Sequence, residues 1–144
     1  MGMDRAESSV RVLGIDPGER RVGFAVSDPL GITAQGLETF DANKGVDLVE
    51  YIEGLVERYD VREIVVGHAI GLAGQTGESS RRSSRLAAVI GERLDVKVTL
   101  WDERFSSEEA KRVLRGQRAP KTAIDKLAAV IILQSYLDYR RRSE

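Results

Sequence analysis

The apolar positions of the chain change from strand spacing to an alternation of strand and helix spacing along its length. Short apolar runs bounded by turn residues predict strands at 11–15, 22–27, 63–67 and 96–101, and another within 32–40. Apolar residues three and four apart predict helices at 44–59, 81–94 and 122–140, and a capping box at 106–109 predicts one at 107–114. Three antiparallel strands followed by parallel strands that alternate with helices form a five-stranded mixed α/β sheet flanked by helices.

The length and composition indicate one domain at 10–144 that follows a flexible tail at 1–9. A chain of 144 residues can bury a core without disulfides, and the absence of cysteine excludes thiol nucleophiles and zinc–thiolate sites. The first nine residues are polar, and no apolar run has the length of a membrane span. We therefore expect a cytoplasmic protein that has no membrane partner.

The two halves of the chain differ in charge. Residues 1–72 carry a formal charge of −6 and residues 73–144 carry +5, so the net charge of −1 conceals a basic second half. A basic half is typical of a protein that binds nucleic acid, although the solvated faces of two helices would give the same pattern. The side chains that we expect to contact phosphates are Arg81, Arg82, Arg85, Arg104, Lys111, Arg112, Arg115, Arg118 and Lys121.

Three carboxylates stand at positions that suggest more than a structural role. Asp16 and Glu103 each follow a predicted strand, and the ends of such strands can meet at one edge of a sheet. Asp125 falls in the apolar stripe of the last helix, where an ionised carboxylate needs a compensating partner or cation. Together the three could converge on a divalent metal ion. Each also has a simpler explanation, since Asp16 can open a turn, Asp125 can complete a helix cap and Glu103 can belong to a solvated charge run.

Other catalytic signatures are weak in this sequence. His68, its one histidine, ends a predicted strand and could assist proton transfer, but a histidine in such a position is more often structural. The sequence contains no Walker loop, dinucleotide fingerprint, nucleophile elbow or zinc-ligand spacing.

At residues 14–28, 101–110 and 125–137 the chain resembles the YqgF family, also called RuvX, of RNase H-like proteins. The three runs are GIDPGERRVGFAVSD, WDERFSSEEA and DKLAAVIILQSYL, and their order and spacing match those of the family. Members are described as pre-16S rRNA nucleases and as Holliday junction resolvases. The resemblance implies the RNase H-like fold and acidic metal ligands at Asp16, Glu103 and Asp125. The chain departs from the family after the fourth strand, where His68-Ala69 replaces Leu-Pro, so the resemblance does not extend to the substrate contacts of the loop that follows.

The residues and the resemblance together predict a nuclease that depends on Mg²⁺ or Mn²⁺. Asp16 would bridge two ions, while Glu103 and Asp125 would each complete one coordination sphere. The expected role is 5′-end maturation of pre-16S rRNA, with structured RNA as the partner. The alternatives are a resolvase that acts on branched DNA and a nucleic-acid-binding module without activity. Resolution needs two coordinated cuts and therefore a homodimer. The apolar residues that could contribute to a dimer surface are Leu30, Ile32, Val113 and Leu114.

Overall fold

The structure, a computed structural model, describes residues 11–42, 45–68, 77–102 and 121–143. The elements within these ranges are β1 (Val12–Asp16), β2 (Arg21–Ser27), β3 (Ala34–Gly36), β4 (Phe40–Asp41), α1 (Leu48–Tyr59), β5 (Glu63–His68), α2 (Glu78–Arg93), β6 (Lys97–Asp102) and α3 (Lys121–Arg142). The tail at 1–9 and the helix predicted at 107–114 lie outside the described residues. Among the described helices, none has the length and apolar character needed to cross a membrane.

The strands form a mixed sheet in the order β3-β2-β1-β5-β6, and β4 pairs separately with β2. The pairs β1–β2 and β2–β3 are antiparallel, whereas β1–β5 and β5–β6 are parallel. The predicted sequence of antiparallel strands followed by parallel strands is therefore confirmed. It places the carboxyl ends of β1, β5 and β6 at one edge of the sheet.

The strand predicted within 32–40 is two short strands, so the sheet has six strands where we expected five. The long strand β2 explains the division, because β3 pairs with its second half and β4 pairs with Arg21 and Val22 at its start. The chain must cross from one half of β2 to the other between these two pairings, and residues 37–39 make that crossing without strand geometry.

Helices α1 and α2 begin at different residues from those that the spacing of apolar positions predicted. Helix α1 begins at Leu48 and not at 44, because the carboxylate of Asp47 accepts the backbone N–H of Val49 at 2.9 Å and caps the helix. Helix α2 begins at Glu78 and not at Arg81. An acidic residue in the first turn is favourable at the positive end of the helix dipole.

The two faces of the sheet bury separate apolar clusters, since successive strand residues point to opposite sides. One face packs against α1 and α2 and contains Leu13, Ile15, Val22, Phe24, Ile52, Ile64, Val66, Leu86 and Ile90. The other face packs against α3 and contains Val12, Ala25, Val65, Trp101, Ala129, Ile132, Leu133, Tyr136 and Leu137. The apolar stripe predicted for the last helix is therefore confirmed, and it fixes which strand residues can meet that helix.

Helix α3 approaches the sheet closely because glycine lies beneath it. A Cβ on Gly14 of β1 would lie 2.8 Å from the Cβ of Leu133, so the strand and the helix can touch only without a side chain there. Farther along, the amide of Gln134 accepts the N–H of Ala34 at 2.9 Å and donates to the carbonyl of Ile32 at 2.8 Å. These contacts hold α3 across β1, β2 and the edge strand β3.

Candidate active site

Asp16 is the last residue of β1 and is partly buried. In this strand Val12 and Gly14 face α3, whereas Leu13 and Ile15 face the opposite cluster. The alternation of a strand therefore assigns Asp16 to the face that α3 covers. The prediction that Asp16 follows the first strand is confirmed to within one residue, since Asp16 ends β1.

Asp125 of α3 lies near the end of β1 because α3 packs closely against Gly23 of β2. Gly23 pairs with Asp16 across the β1–β2 ladder, where paired Cα atoms are about 4.5–5.5 Å apart. A Cβ on Gly23 would overlap the carbonyl oxygen of Asp125 and would lie 3.1 Å from its carbonyl carbon. The bare backbone of Gly23 thus separates Asp16 from the first part of α3. The structure therefore places the backbone of Asp125 against Gly23, the residue that pairs with Asp16.

Arg21 completes this group, and sequence reasoning missed it. Its Nε donates to Oδ2 of Asp125 at 3.0 Å, with side chains that are 31% and 28% exposed. Arg21 and Gly23 lie two residues apart on β2 and therefore share the face that meets α3. That alternation was the available signal, but the strand predicted at 22–27 did not include Arg21.

The third predicted carboxylate, Glu103, lies outside the described residues, and it follows Asp102 directly in the chain. Asp102 ends β6 beside His68, which ends β5. Ile15 is level with Val66, so continuing the register by one residue brings Asp16 level with Gly67, which pairs with Trp101. Within 11–42, 45–68, 77–102 and 121–143 no group of three His, Cys, Asp or Glu side chains could hold a metal ion. The described ranges therefore contain two of the three expected ligands and the strand end from which the chain continues to the third.

The chemistry of these residues fits a hard divalent cation. Asp16 and Asp125 offer carboxylate oxygens, which Mg²⁺ and Mn²⁺ prefer. Asp125 already has a cationic partner in Arg21. The guanidinium of Arg21 therefore supplies positive charge to this partly buried carboxylate, as a bound cation also would.

His68 does not belong to this group. Its Nε2 lies 2.6 Å from Oγ of Ser80, a buried residue of α2. Ser80 approaches from the face that α1 and α2 cover, opposite to the face of Asp125. A role in fixing α2 against β5 accounts for this contact, in agreement with the structural interpretation of the histidine.

The predicted basic residues divide into four groups. Arg81 and Arg85 both form ion pairs with Glu78, at 3.3 and 3.4 Å, and their hydrogen bonds lower the pKa of Glu78. Arg82, one position along the same helix, has no ion pair among the described residues. Lys121 is the first residue of α3. The remaining predicted contacts lie outside the described residues and are Arg104, Lys111, Arg112, Arg115 and Arg118.

Solved structures that resemble this fold include one bound to a Holliday junction substrate and a Holliday junction resolvase. The structure titled "T. thermophilus RuvC in complex with Holliday junction substrate" has a TM-score of 0.61 and 15% identity, and the match covers 93% of this chain and 96% of that one. The fowlpox virus Holliday junction resolvase has a TM-score of 0.51 and 13% identity, with 90% and 99% of the two chains covered. These likenesses show the RNase H-like fold that the sequence predicted.

Relatives in sequence carry one recurrent name, "Putative pre-16S rRNA nuclease". That of Koribacter versatilis is 44% identical over 135 residues, which is 90% of this chain and 88% of that protein. That of Halothermothrix orenii is 40% identical over 137 residues, which is 92% of this chain and 98% of that protein. The model of the RuvX family, described as Holliday junction resolvase, matches residues 10–139. The chain belongs to the RuvX family.

Proposed function

We propose that this protein is a divalent-metal-dependent nuclease that cleaves phosphodiester bonds in the 5′-end maturation of pre-16S rRNA. The observation that carries the proposal is the packing of the Asp125 backbone against Gly23, the residue that pairs with Asp16 at the end of β1. The relatives named for this activity support it, because they match nearly the whole chain at 40–44% identity. Such a substrate agrees with the cytoplasmic location expected from the sequence.

Asp16, Glu103 and Asp125 would hold the metal, which we propose to be Mg²⁺ or Mn²⁺. When bound, a metal of this kind supplies Lewis-acid polarisation of the phosphate and an acidified water as nucleophile. The residues of the chain position the carboxylates that would hold the metal. Gly23 lets Asp125 approach the end of β1, and Arg21 orients the carboxylate of Asp125 through its hydrogen bond. Arg82 and the basic residues of the second half would attract the phosphate backbone.

The first experiment compares wild type with Asp16→Asn for cleavage of a precursor 16S rRNA fragment in Mn²⁺. Asn is nearly isosteric with Asp but carries no charge, so cleavage should fall by at least about a hundredfold, the range expected when electrostatic stabilisation is lost. Asp95→Asn is the matched control, because Asp95 is exposed and has no ion pair within the described part of the chain. Equal cleavage by Asp16→Asn and Asp95→Asn would exclude this metal site.

Resolution of branched DNA is the second candidate, and the description of the matching family favours it. A resolvase must cut two strands in concert and therefore acts as a dimer. Beside the edge strand β3, Leu30 is 70% exposed and Ile32 is 36% exposed, which is the kind of surface that a dimer would cover. Val113 and Leu114 lie outside the described residues.

The same assay with a four-way DNA junction separates the two substrates. Asp16-dependent cleavage of the RNA alone supports rRNA maturation, and paired cuts in the junction by a dimer support resolution. Salt-sensitive binding of both without cleavage would indicate a binding module, in which removal of a carboxylate should tighten binding to phosphate.

A further inference from the structure

A surface pocket lies beside the carboxyl end of β6, on the face of the sheet that α3 covers. Its described lining is Trp101, Ser135, Tyr139 and Arg142, and its volume is about 260 Å³. Sites for drug-sized ligands begin at roughly 300 Å³, so this pocket has the size for a single planar ring system. Among the predicted site residues that the structure describes, none lines it.

The aromatic wall of this pocket is held in place before any ligand arrives. The indole Nε1 of Trp101 donates to Oγ of Ser135 at 3.2 Å. The Trp101 ring lies 5.3 Å from Tyr136 in an edge-on arrangement and 5.2 Å from Tyr139 at an interplanar angle of 51°. Trp101 is 7% exposed, but Tyr139 is 51% exposed. A ligand ring that stacks on Tyr139 would therefore meet a surface whose rotamers are already restricted, which lowers the entropic cost of binding.

The charge at the pocket is positive. Arg140 is paired with Glu63 at 3.1 Å, and Arg141 is paired with Asp138 at 2.9 Å, so these two carboxylates each already have a cation. Arg142 has no ion pair among the described residues, and its exposed guanidinium lines the pocket. An exposed aromatic ring beside an unpaired arginine is the combination that binds a base and its phosphate in single-stranded nucleic acid.

The distance from the pocket to the candidate active site follows from α3, because Asp125 and Tyr139 both lie on this helix. They are fourteen residues apart, so about 21 Å of helix separates their backbones. Stacked nucleotides rise by about 3.4 Å each, so about six nucleotides span this distance.

We propose that this pocket binds a nucleobase of a single-stranded RNA segment, about six nucleotides from the phosphate that is cleaved. The base stacks on the exposed face of Tyr139 against the edge of Trp101, and Arg142 contacts an adjoining phosphate. The inference rests on the proposed nuclease function, because it takes RNA as the ligand. It adds a site that would set the register of the strand relative to Asp16.

The test uses the full chain with Asp16→Asn, which prevents cleavage, and a single-stranded RNA that carries 2-aminopurine at one position after another. Stacking should quench the fluorescence at one position or at two adjacent positions. In this background Tyr139→Ala should abolish that quench and weaken binding about tenfold, since stacking of one base on an aromatic ring contributes on that scale. Tyr139→Phe keeps the ring and should keep both signals.

The salt dependence of binding tests the phosphate contact of Arg142. Arg142→Ala should lower the slope of the logarithm of the binding constant against the logarithm of salt concentration by the amount expected for about one phosphate contact. Substitution of Arg58, an exposed arginine of α1, by alanine should not lower it.

An abasic RNA decides whether the base is what Tyr139 contacts. Removal of the base at the quenched position should weaken binding by the Tyr139-containing protein about tenfold and leave binding by Tyr139→Ala unchanged. The proposed base site would be contradicted if removal of the base weakened binding equally in both proteins, or if the quench survived in Tyr139→Ala. The experiments also distinguish failure of the base site from failure of the proposed nuclease function. A Tyr139-dependent quench without cleavage by the wild type would support the base site and contradict the nuclease function. Asp16-dependent cleavage with no effect of Tyr139→Ala would support the nuclease function and contradict the base site.

Discussion

The guanidinium of Arg21 and the carboxylate of Asp125 meet at 3.0 Å although 104 residues separate them in the sequence. The ion pair joins the start of β2 to α3 at the point where Asp16 ends β1. Both side chains are about 30% exposed, so we expect the contribution of this ion pair to stability to be intermediate between those of a surface and a buried salt bridge.

Arg21→Met should make the metal-free protein less stable and make it respond more strongly to Mn²⁺. Without the guanidinium, Asp16 and Asp125 repel each other with less compensation, which should cost about 1 kcal/mol of unfolding free energy. A bound cation removes that repulsion, so the Mn²⁺-induced rise in Tm should be larger than in wild type. Thermal unfolding with and without Mn²⁺ measures both quantities. Arg20→Met is the control, because Arg20 carries the same charge without this ion pair, and an equal response from it would contradict the argument.

Gly23→Ala should separate the two carboxylate residues and impair cleavage more than stability. The added Cβ would overlap the carbonyl oxygen of Asp125 and approach Cβ of Ala129 to 3.4 Å, so α3 must shift away from β2. Overpacking of this kind costs about 1–3 kcal/mol. Denaturant unfolding gives the stability, and the precursor-RNA assay gives the activity.

Gly54→Ala is the matched control for that substitution. Gly54 is exposed in α1, and nothing lies within 4 Å of a Cβ placed on it. Alanine should therefore stabilise the helix by about 0.5–1 kcal/mol and leave cleavage unchanged. If Gly23→Ala cleaved as well as Gly54→Ala, the close approach of α3 to β2 would have no part in the site.

The sequence predicted the order of strands and helices along the chain, and the apolar faces of the helices, because both depend on short-range periodicity. It predicted Asp16, Glu103 and Asp125 as metal ligands because two of them follow strands and Asp125 lies in an apolar stripe. It did not predict Arg21 as the partner of Asp125, since that contact depends on how α3 crosses β2 and not on either segment alone. We expected one strand within 32–40, and the structure has two. The sequence did not predict the division, because it depends on how these residues pair with the long strand β2. The assignment of Glu103 stays a prediction.

Tyr136→Phe should destabilise the protein by about 1–3 kcal/mol, because it removes a donor from a buried carboxylate. The Tyr136 hydroxyl donates to Oε2 of Glu63 at 2.5 Å, and Glu63 is 6% exposed at the start of β5. Thr99 and Arg140 also donate to Glu63, at 2.9 and 3.1 Å, so the carboxylate would keep part of its shell. Tyr139→Phe is the control, since that hydroxyl has no hydrogen-bond partner in the described part of the chain.

Tyr136 should also ionise only at a pH well above the ordinary pKa of tyrosine. Burial, and then the hydrogen bond to Glu63, raise the pKa of Tyr136 to about 12 from an ordinary value of 10.0. The folded state therefore holds this proton more tightly than the unfolded state. Its contribution to stability is complete below pH 10 and is lost as the pH rises from about 10 to about 12. Phenolate absorbance during an alkaline titration should show one late component that Tyr136→Phe lacks, and an unchanged titration curve would contradict the assignment.

Asp28 should stabilise the protein at neutral pH and lose that effect in acid. Burial alone would raise the pKa of Asp28, but the backbone N–H groups of Thr33, Ile32 and Leu30 donate to its carboxylate and hold the pKa below the ordinary value of 3.8. These bonds close the turn between β2 and β3. A lowered pKa in the folded state means that the stabilising contribution is present above pH 3.8 and declines as the pH falls through the folded value. Asp28→Asn should therefore have a lower denaturant midpoint than wild type at pH 7, and the two midpoints should converge in acid. A difference that stayed constant with pH would show that the charge of Asp28 does not hold this turn.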